Sequence, residues 1–190
     1  MKKKLFSEIP VLEGERITLR PLTIKDADGL RELTEDPEVY RYLPTFLFEK
    51  KYEDPVYVIE HLYDECLKDS LILGIFLGED FCGLAELYGY REKFRKASVG
   101  YRLVRRHWGQ GIATEALGLL VNYAQNEVDL EILTASVMVE NKASANVLKK
   151  NRFVCVVPVS LEDWGYPKPV VTGKWLFVGK HGLREYRFQT

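Results

Sequence analysis

The stretch Arg106–Ala113, "RHWGQGIA", places Gly109 and Gly111 on either side of one residue, Gln110, where two differently patterned segments meet. On its N-terminal side, "ASVGYRLV" (97–104) is rich in β-branched and aromatic residues and reads as a strand. On its C-terminal side, "TEALGLLVNYA" (114–124) repeats apolar residues at close to helical spacing and predicts a helix over about 112–126. A helix begins with free N–H groups and a partial positive charge. Anions, phosphates above all, bind there. Glycine lets a phosphate approach the backbone and permits positive φ. Arg105 and Arg106 add charge beside the helix start. The order strand, bare turn, helix points to a bound diphosphate, and it is also compatible with a plain strand-to-helix turn. No Gly-Lys-Ser/Thr follows, so the block is not a Walker loop. Thr114 stands where the third glycine of the dinucleotide fingerprint belongs.

Outward from this block the chain alternates strands and helices. "RITLRPL" (16–22) alternates and predicts a strand, and "TIKDADGLRELTE" (23–35) carries caps at Thr23 and Asp26 before helical spacing at Ala27, Leu30 and Leu33. Pro37 ends that helix or starts another turn. "PVYVIEHLYDECLKD" (55–69) predicts a second helix. "LILGIFL" (71–77), "FCGLAELYGY" (81–90) and "ASVGYRLV" follow as hairpin-linked strands, an antiparallel meander. After the glycine block come a strand over 130–139, a short helix over 141–151 capped by Asn141, and late strands within 153–160 and 173–179.

The chain has 190 residues, enough for one well-buried core. Lys and Arg number 27 against 28 for Asp and Glu, a net charge of −1, which gives no general attraction to nucleic acid or to an anionic membrane. No apolar run reaches the roughly 20 residues of a membrane span, and "MKKKLFSEIPVLEGER" has no apolar stretch of signal-peptide length. A cytoplasmic location is expected. Cys66, Cys82 and Cys155 fit no metal spacing and are expected as reduced structural thiols. His61, His107 and His181 share no metal-ligand spacing either, and no metal is expected.

Taken together, "R-x-x-G-x-G-x-A" at 106–113, "VGYRLV" before it, "TEAL" after it, "LRPLTIKDADGL" near the start and "VMVENKASANVLKKNRF" near the end resemble the GCN5-related N-acetyltransferases (GNAT), in the family's order. The nearest branch is RimJ/RimL-like, acting on ribosomal protein amino termini. The resemblance implies an α/β (α+β) fold of GNAT type: a mixed, largely antiparallel sheet of six to seven strands flanked by about four helices. It implies a domain over 13–178, with a short extension (1–12) and a tail (179–190). It implies acetyl-CoA as cosubstrate and direct attack of a substrate amine on its thioester. The diphosphate is then held at Arg106, Gly109, Gln110, Gly111, Ile112 and Ala113. The pantetheine arm pairs with the strand near Leu103 and Val104, and Asn141 and Ser144 lie near the thiol.

Direct transfer needs a deprotonated amine, a stabilised oxyanion and a protonated leaving sulfur. An α-amine has a pKa of about 8 against about 10.4 for Lys, so an amino-terminal acceptor needs less help. The family's usual base, a Glu just before the hydrophobic-Gly-Tyr step, is Ser98 here. Glu86 is the leading candidate instead, because Glu86, Tyr88 and Tyr90 share one face by strand alternation. The alternative is a solvent-facing strand glutamate. The family's usual acid, a Tyr seven residues after the Asn, is Leu148, and Ser144 is the polar substitute. Arg152 replaces the family's Gly before Phe153, so the left-handed cap is expected to fall to Asn151.

The acceptor is expected to be a protein N-terminal α-amine or a small-molecule amine, bound near loops 42–52 and 160–173. Aromatic Tyr42, Phe46, Phe48, Trp164 and Tyr166 and acidic Glu162 and Asp163 are available there. A non-catalytic acyl-CoA-binding module is the alternative function. Nucleic-acid recognition through the basic segment "REKFRKASVGYRLVRRHWG" is a third, disfavoured by the neutral chain. No membrane partner is expected, and a homodimer is left open.

Overall fold

A computed structural model describes residues 8–67 and 69–179. The expected C-terminal tail, apart from Gly179, and the first seven residues of the expected extension lie outside the described residues.

One sheet organises the chain. Its strands are β1 (Leu12–Glu13), β2 (Thr18–Arg20), β3 (Leu71–Leu77), β4 (Asp80–Arg91), β5 (Lys96–Leu103), β6 (Ile132–Met138), β7 (Val154–Glu162) and β8 (Val170–Val178). They lie in the order β1-β2-β3-β4-β5-β6-β8-β7, and every neighbouring pair is antiparallel except β5–β6. The sheet therefore has eight strands, the additional one being the two-residue β1, too short to show a period in the sequence. The helices are α1 (Ala27–Glu35), α2 (Pro37–Tyr40), α3 (Pro55–Cys66), α4 (Ile112–Asn126) and α5 (Lys142–Lys150). Pro37 thus starts a new turn, capped by Asp36, whose side chain accepts from the Glu38 N–H at 3.0 Å.

β3 is apolar along nearly its whole length because helices cover both of its faces. On one face, α1 and α3 bring Leu30, Leu33, Val58 and Leu62 onto Ile72, Phe76 and Leu84. On the other, α4 and α5 bring Leu117, Leu120, Tyr123 and Leu148 onto Leu73, Ala85, Val99 and Leu133.

The sheet opens between β5 and β6. Their parallel pairing covers only Lys96–Ser98 against Ile132–Thr134. β5 continues to Leu103 paired with β4 alone, and β6 continues to Met138 paired with β8 alone. The residues Val99–Leu103 consequently line a wedge, with α4 starting just beyond its mouth.

Two local expectations change. Tyr90 packs with the α4-side cluster rather than beside Glu86 and Tyr88. Gly89 has φ of 62° and the β4–β5 register shifts between Tyr88 and Arg91, so strand alternation breaks there. The left-handed residue after α5 is Arg152, with φ of 65°, and not Asn151. The Phe153 N–H bonds to the Leu148 carbonyl at 3.1 Å and the Arg152 N–H to that of Lys149 at 3.0 Å, the two closing bonds of a Schellman end. Asn151 instead donates its Nδ2 to the Thr114 carbonyl at 3.1 Å and ties α5 to the start of α4.

Candidate active site

The glycine block forms the mouth of the wedge. Gly109 has φ of 74° and Gly111, which begins α4, has φ of 81°. A Cβ on Gly109 would meet nothing within 4 Å. Here the glycines serve backbone conformation and exposure, not close packing. Among the described residues, no hydrogen bond ties the N–H groups of Gly109 or Gly111 through Thr114 to a protein acceptor, and the first helical bond runs from Glu115 N to the Gly111 carbonyl at 3.1 Å. These peptide units leave donors free at the positive end of α4, a cradle whose chemistry fits a diphosphate. Ile112 is buried and anchors the first turn, and Ala113 beside it leaves the cleft side unobstructed.

The side chains around the loop brace it. Trp108 donates its Nε1–H to the Leu103 carbonyl at 2.9 Å, and Gln110 Nε2 donates to the Arg106 carbonyl at 2.8 Å. Val104 N donates to Cys82 O at 2.9 Å and fixes the end of β5. The Arg106 guanidinium turns away from the cradle to pair with Glu32 of α1 and Asp80 at the start of β4. Buried His107 sits 3.1 Å from the same Asp80. The guanidinium nearest the cradle belongs to Arg16, which sequence reading missed. Its Nη1 donates to the Gln110 carbonyl at 3.0 Å, its Nε meets Glu115 Oε2 at 2.9 Å, and its Nη2 lies 3.4 Å from where a Cβ on Gly111 would stand. No local pattern could reveal a contact spanning 94 residues.

On the α5 side of the wedge, Asn141 caps its helix by accepting the Ser144 N–H at 3.0 Å. Ser144 Oγ lies 2.8 Å from the Tyr101 hydroxyl, which also reaches the Ser144 carbonyl at 3.1 Å. Burial holds the Tyr101 phenol protonated far above its ordinary range. Leu148, where the family's phenol would stand, is fully buried in the core. Among the described residues, the phenol bonded to Ser144 therefore comes from β5, through the Tyr of "VGYRLV".

On the opposite face, Glu86 lies across Gly100 of β5. A Cβ there would come within 2.4 Å of Glu86 Oε1, so only glycine admits this carboxylate. Glu86 is mostly covered, and its Oε1 meets Arg102 Nη1 at 3.2 Å. Arg102 Nε forms an ion pair with Glu49 Oε1, and Glu49 accepts a hydrogen bond from the Tyr40 hydroxyl at 3.0 Å. Burial pushes the Glu86 carboxyl above its ordinary range, against the pull of Arg102 and with the repulsion of Glu49. The same environment pushes the Tyr88 phenol up to about 12. Ser98, at the position of the family's Glu, is spent in a 2.9 Å hydroxyl pair with Thr134 at the base of the wedge.

A single cleft of about 890 Å³ joins the two faces. It holds Gly109, Gly111, Asn141 and Ser144 at one end and Glu86, Tyr88, Tyr42 and Phe46 at the other. Its carboxylates are Glu38, Glu49, Glu86, Glu162 and Asp163, against Arg102 and Lys150. Loop 163–169 closes the cleft beside loop 42–48: the Trp164 carbonyl accepts the Thr45 N–H at 2.9 Å, and Tyr166 donates its hydroxyl to the Leu43 carbonyl at 2.8 Å. His61 stacks on Tyr57 away from the cleft lining. Several arginines of the basic segment around β5 are paired locally: Arg95 with Asp129 and Glu131, Arg105 with Asp36, Arg106 with Glu32 and Asp80. Among the described residues, no His, Cys, Asp and Glu group could hold a metal ion, and no helix is long and apolar enough to cross a membrane.

An open wedge, a bare helix start and an acidic cleft between them define an acyl-CoA-dependent transferase fold. Residues 16–154 match the acetyltransferase (GNAT) domain family. The chain is 30% identical over 144 residues to the uncharacterized N-acetyltransferase p20 of Bacillus licheniformis, covering 75% of this chain and 81% of that one. In structure it is similar to Mycobacterium smegmatis RimJ in complex with CoA-disulfide (TM-score 0.76, 20% identity, 95% of this chain and 89% of that one). It is also similar to a Vibrio cholerae spermidine N-acetyltransferase in complex with CoA and spermine (TM-score 0.71, 19% identity, 88% and 98%). The chain belongs to the GNAT family and is an acetyl-CoA-dependent N-acetyltransferase.

Proposed function

We propose that the chain acetylates a primary amine that enters the cleft as a cation, with Glu86 as general base and Ser144 as proton donor. The acceptor is a protein N-terminal α-amine or a small-molecule amine. The observation that carries this reading is the single cleft that joins the N–H cradle to a carboxylate-rich acceptor end. Bound acetyl-CoA supplies an acetyl group activated as a thioester, held by the N–H groups of 109–114 and the free edge of β5.

The residues of the chain then divide the proton work. Glu38, Asp163 and Glu86 attract the ammonium, and Tyr42 and Phe46 offer apolar walls for its carbon skeleton. The Glu86 carboxylate takes one proton from the ammonium, which frees the nitrogen lone pair. As the N–C bond forms the nitrogen loses its second proton to solvent, and as the C–S bond breaks Ser144 Oγ–H, oriented by Tyr101, gives its proton to the leaving sulfur and is reprotonated from solvent. The balance is one amide, one thiol and one proton released to solvent.

The test is thiol release from acetyl-CoA with a panel of peptides bearing free α-amines, lysine peptides and small di- and polyamines. Turnover on one class, lost in Glu86→Gln with acetyl-CoA binding retained, supports the reading. An unchanged kcat/KM in Glu86→Gln across pH removes Glu86 from it.

A further inference from the structure

The buried cluster behind Glu86 is more than a way to satisfy one carboxylate. An arginine fork ordinarily grips one carboxylate with two parallel bonds. Arg102 does not: its Nη1 donates to Glu86, its Nε lies at ion-pair distance from Glu49 without a hydrogen bond, and its Nη2 likewise has no hydrogen-bond partner among the described residues. One guanidinium is thereby shared between two carboxylates, and the cluster holds one negative charge in excess. The two carboxylates are not equivalent. Glu49 is 2% exposed and held by Tyr40, deep beneath the loop that carries it. The Glu86 side chain, at 12%, borders the space where an acceptor enters.

The geometry points to Glu49 as a positioning residue for proton transfer: by occupying half of Arg102 it leaves Glu86 under-compensated, so that Glu86 accepts a proton from the incoming ammonium. This rests on Glu86 being the base. The charge arithmetic is direct. An arriving ammonium neutralises the cluster. Moving its proton to Glu86 keeps the cluster neutral and leaves an uncharged amine able to attack. Without the Glu49 charge, Arg102 and Glu86 form a neutral pair, and protonating Glu86 would strand a buried guanidinium, an expensive state.

The other groups facing Glu86 do not replace Glu49. Tyr40 of α2 is spent on Glu49 and is held protonated by burial. Cys66 of α3 is pushed up to about 11 by burial and by the fields of Glu86 and Glu49, so it stays a neutral thiol. Tyr88, next along the same face of β4, is likewise protonated, and Glu162 beyond it is matched by Lys174.

The experiment is the pH profile of kcat/KM for wild type, Glu49→Gln, Glu49→Asp and Glu86→Gln, on whichever amine the panel identifies. Glu49→Gln leaves Arg102 with one carboxylate and is expected to fold, checked by thermal unfolding and acetyl-CoA binding. It should move the acid limb of the profile to lower pH by about 1 unit and lower the plateau, because Glu86 becomes a weaker base. Glu49→Asp, which restores the charge, should return the limb toward wild type. A Glu49→Gln profile superimposable on wild type, or one that Glu49→Asp reproduces, overturns the role of the Glu49 charge while Glu86→Gln remains inactive. An active Glu86→Gln enzyme overturns the base reading itself. If Glu49→Gln does not fold, the Glu86 carboxyl is titrated by ¹³C NMR in wild type and Glu49→Asp. A wild-type midpoint at or below the ordinary glutamate value of about 4.3 then refutes the proposal.

Discussion

The N–H cradle can be tested with a matched pair of glycine substitutions. Gly109 and Gly78 both have positive φ, 74° and 60°, and an added Cβ at either meets nothing within 4 Å. Gly78→Ala and Gly109→Ala therefore carry the same penalty, the left-handed backbone of an L-residue, about 1–2 kcal/mol. Gly78 lies in the β3–β4 turn, and Gly109 lies in the cradle. The penalty falls at different points: Gly78 is held by the paired β3–β4 hairpin, so there it appears as lost stability, whereas the unpaired 109 loop relaxes to negative φ in unliganded Gly109→Ala and binding must restore the strained form. Converted to affinity, 1–2 kcal/mol weakens acetyl-CoA by roughly 5- to 30-fold. Gly78→Ala loses comparable stability but keeps its affinity. The assay is calorimetric titration of acetyl-CoA alongside thermal unfolding of both variants. Equal affinities in Gly109→Ala and wild type, or an equal loss in Gly78→Ala, would refute the assignment of the diphosphate to these N–H groups.

Other outcomes follow from the same geometry. Arg152→Gly removes a left-handed side chain from the end of α5 and should raise stability by about 1 kcal/mol, a Tm increase of about 2–4 °C, with kcat unchanged. Burial alone would raise the Glu115 carboxyl, but the N–H groups of Arg16 and Ile17 and the Arg16 guanidinium hold it below the ordinary range. Its contribution is therefore fully present above about pH 5 and lost as pH falls through the lowered value, so the stabilities of wild type and Glu115→Gln should converge as the pH is lowered past that point. Tyr101→Phe and Ser144→Ala should each lower kcat with little change in KM for acetyl-CoA. Because they share one proton path, the double variant should be no worse than Ser144→Ala alone. A fully multiplicative loss would separate the two residues.

What the sequence made legible was local. Helix α4 was readable over 112–126 because glycines, periodicity and the preceding β-rich run all lie within a short window, and it spans Ile112–Asn126. The Asn141 cap was readable for the same reason. The meander was readable from its turns, but Gly89 was not identifiable as a bulge, so Tyr90 was placed on the wrong face. Assigning the left-handed cap to Asn151 followed intrinsic preference, whereas the Asn151 side chain is committed to the Thr114 carbonyl and the closing bonds fall on Arg152 and Phe153. Least legible were the long-range polar contacts: Arg16 with Gln110 and Glu115, Tyr101 with Ser144, and Glu49 with Arg102. Each joins elements that only the folded sheet brings together, and no spacing rule encodes them.

The central claim is that the N–H groups at the start of α4 hold the diphosphate while the free edge of β5 holds the arm that carries the acetyl group. Amide NMR during titration with acetyl-CoA, and separately with S-acetylpantetheine, which lacks the diphosphate, addresses it directly. The account predicts large shifts at 109–113 with acetyl-CoA alone and at Val99–Leu103 with both ligands. Shifts at 109–113 that are absent with acetyl-CoA, or equally large with S-acetylpantetheine, would contradict it.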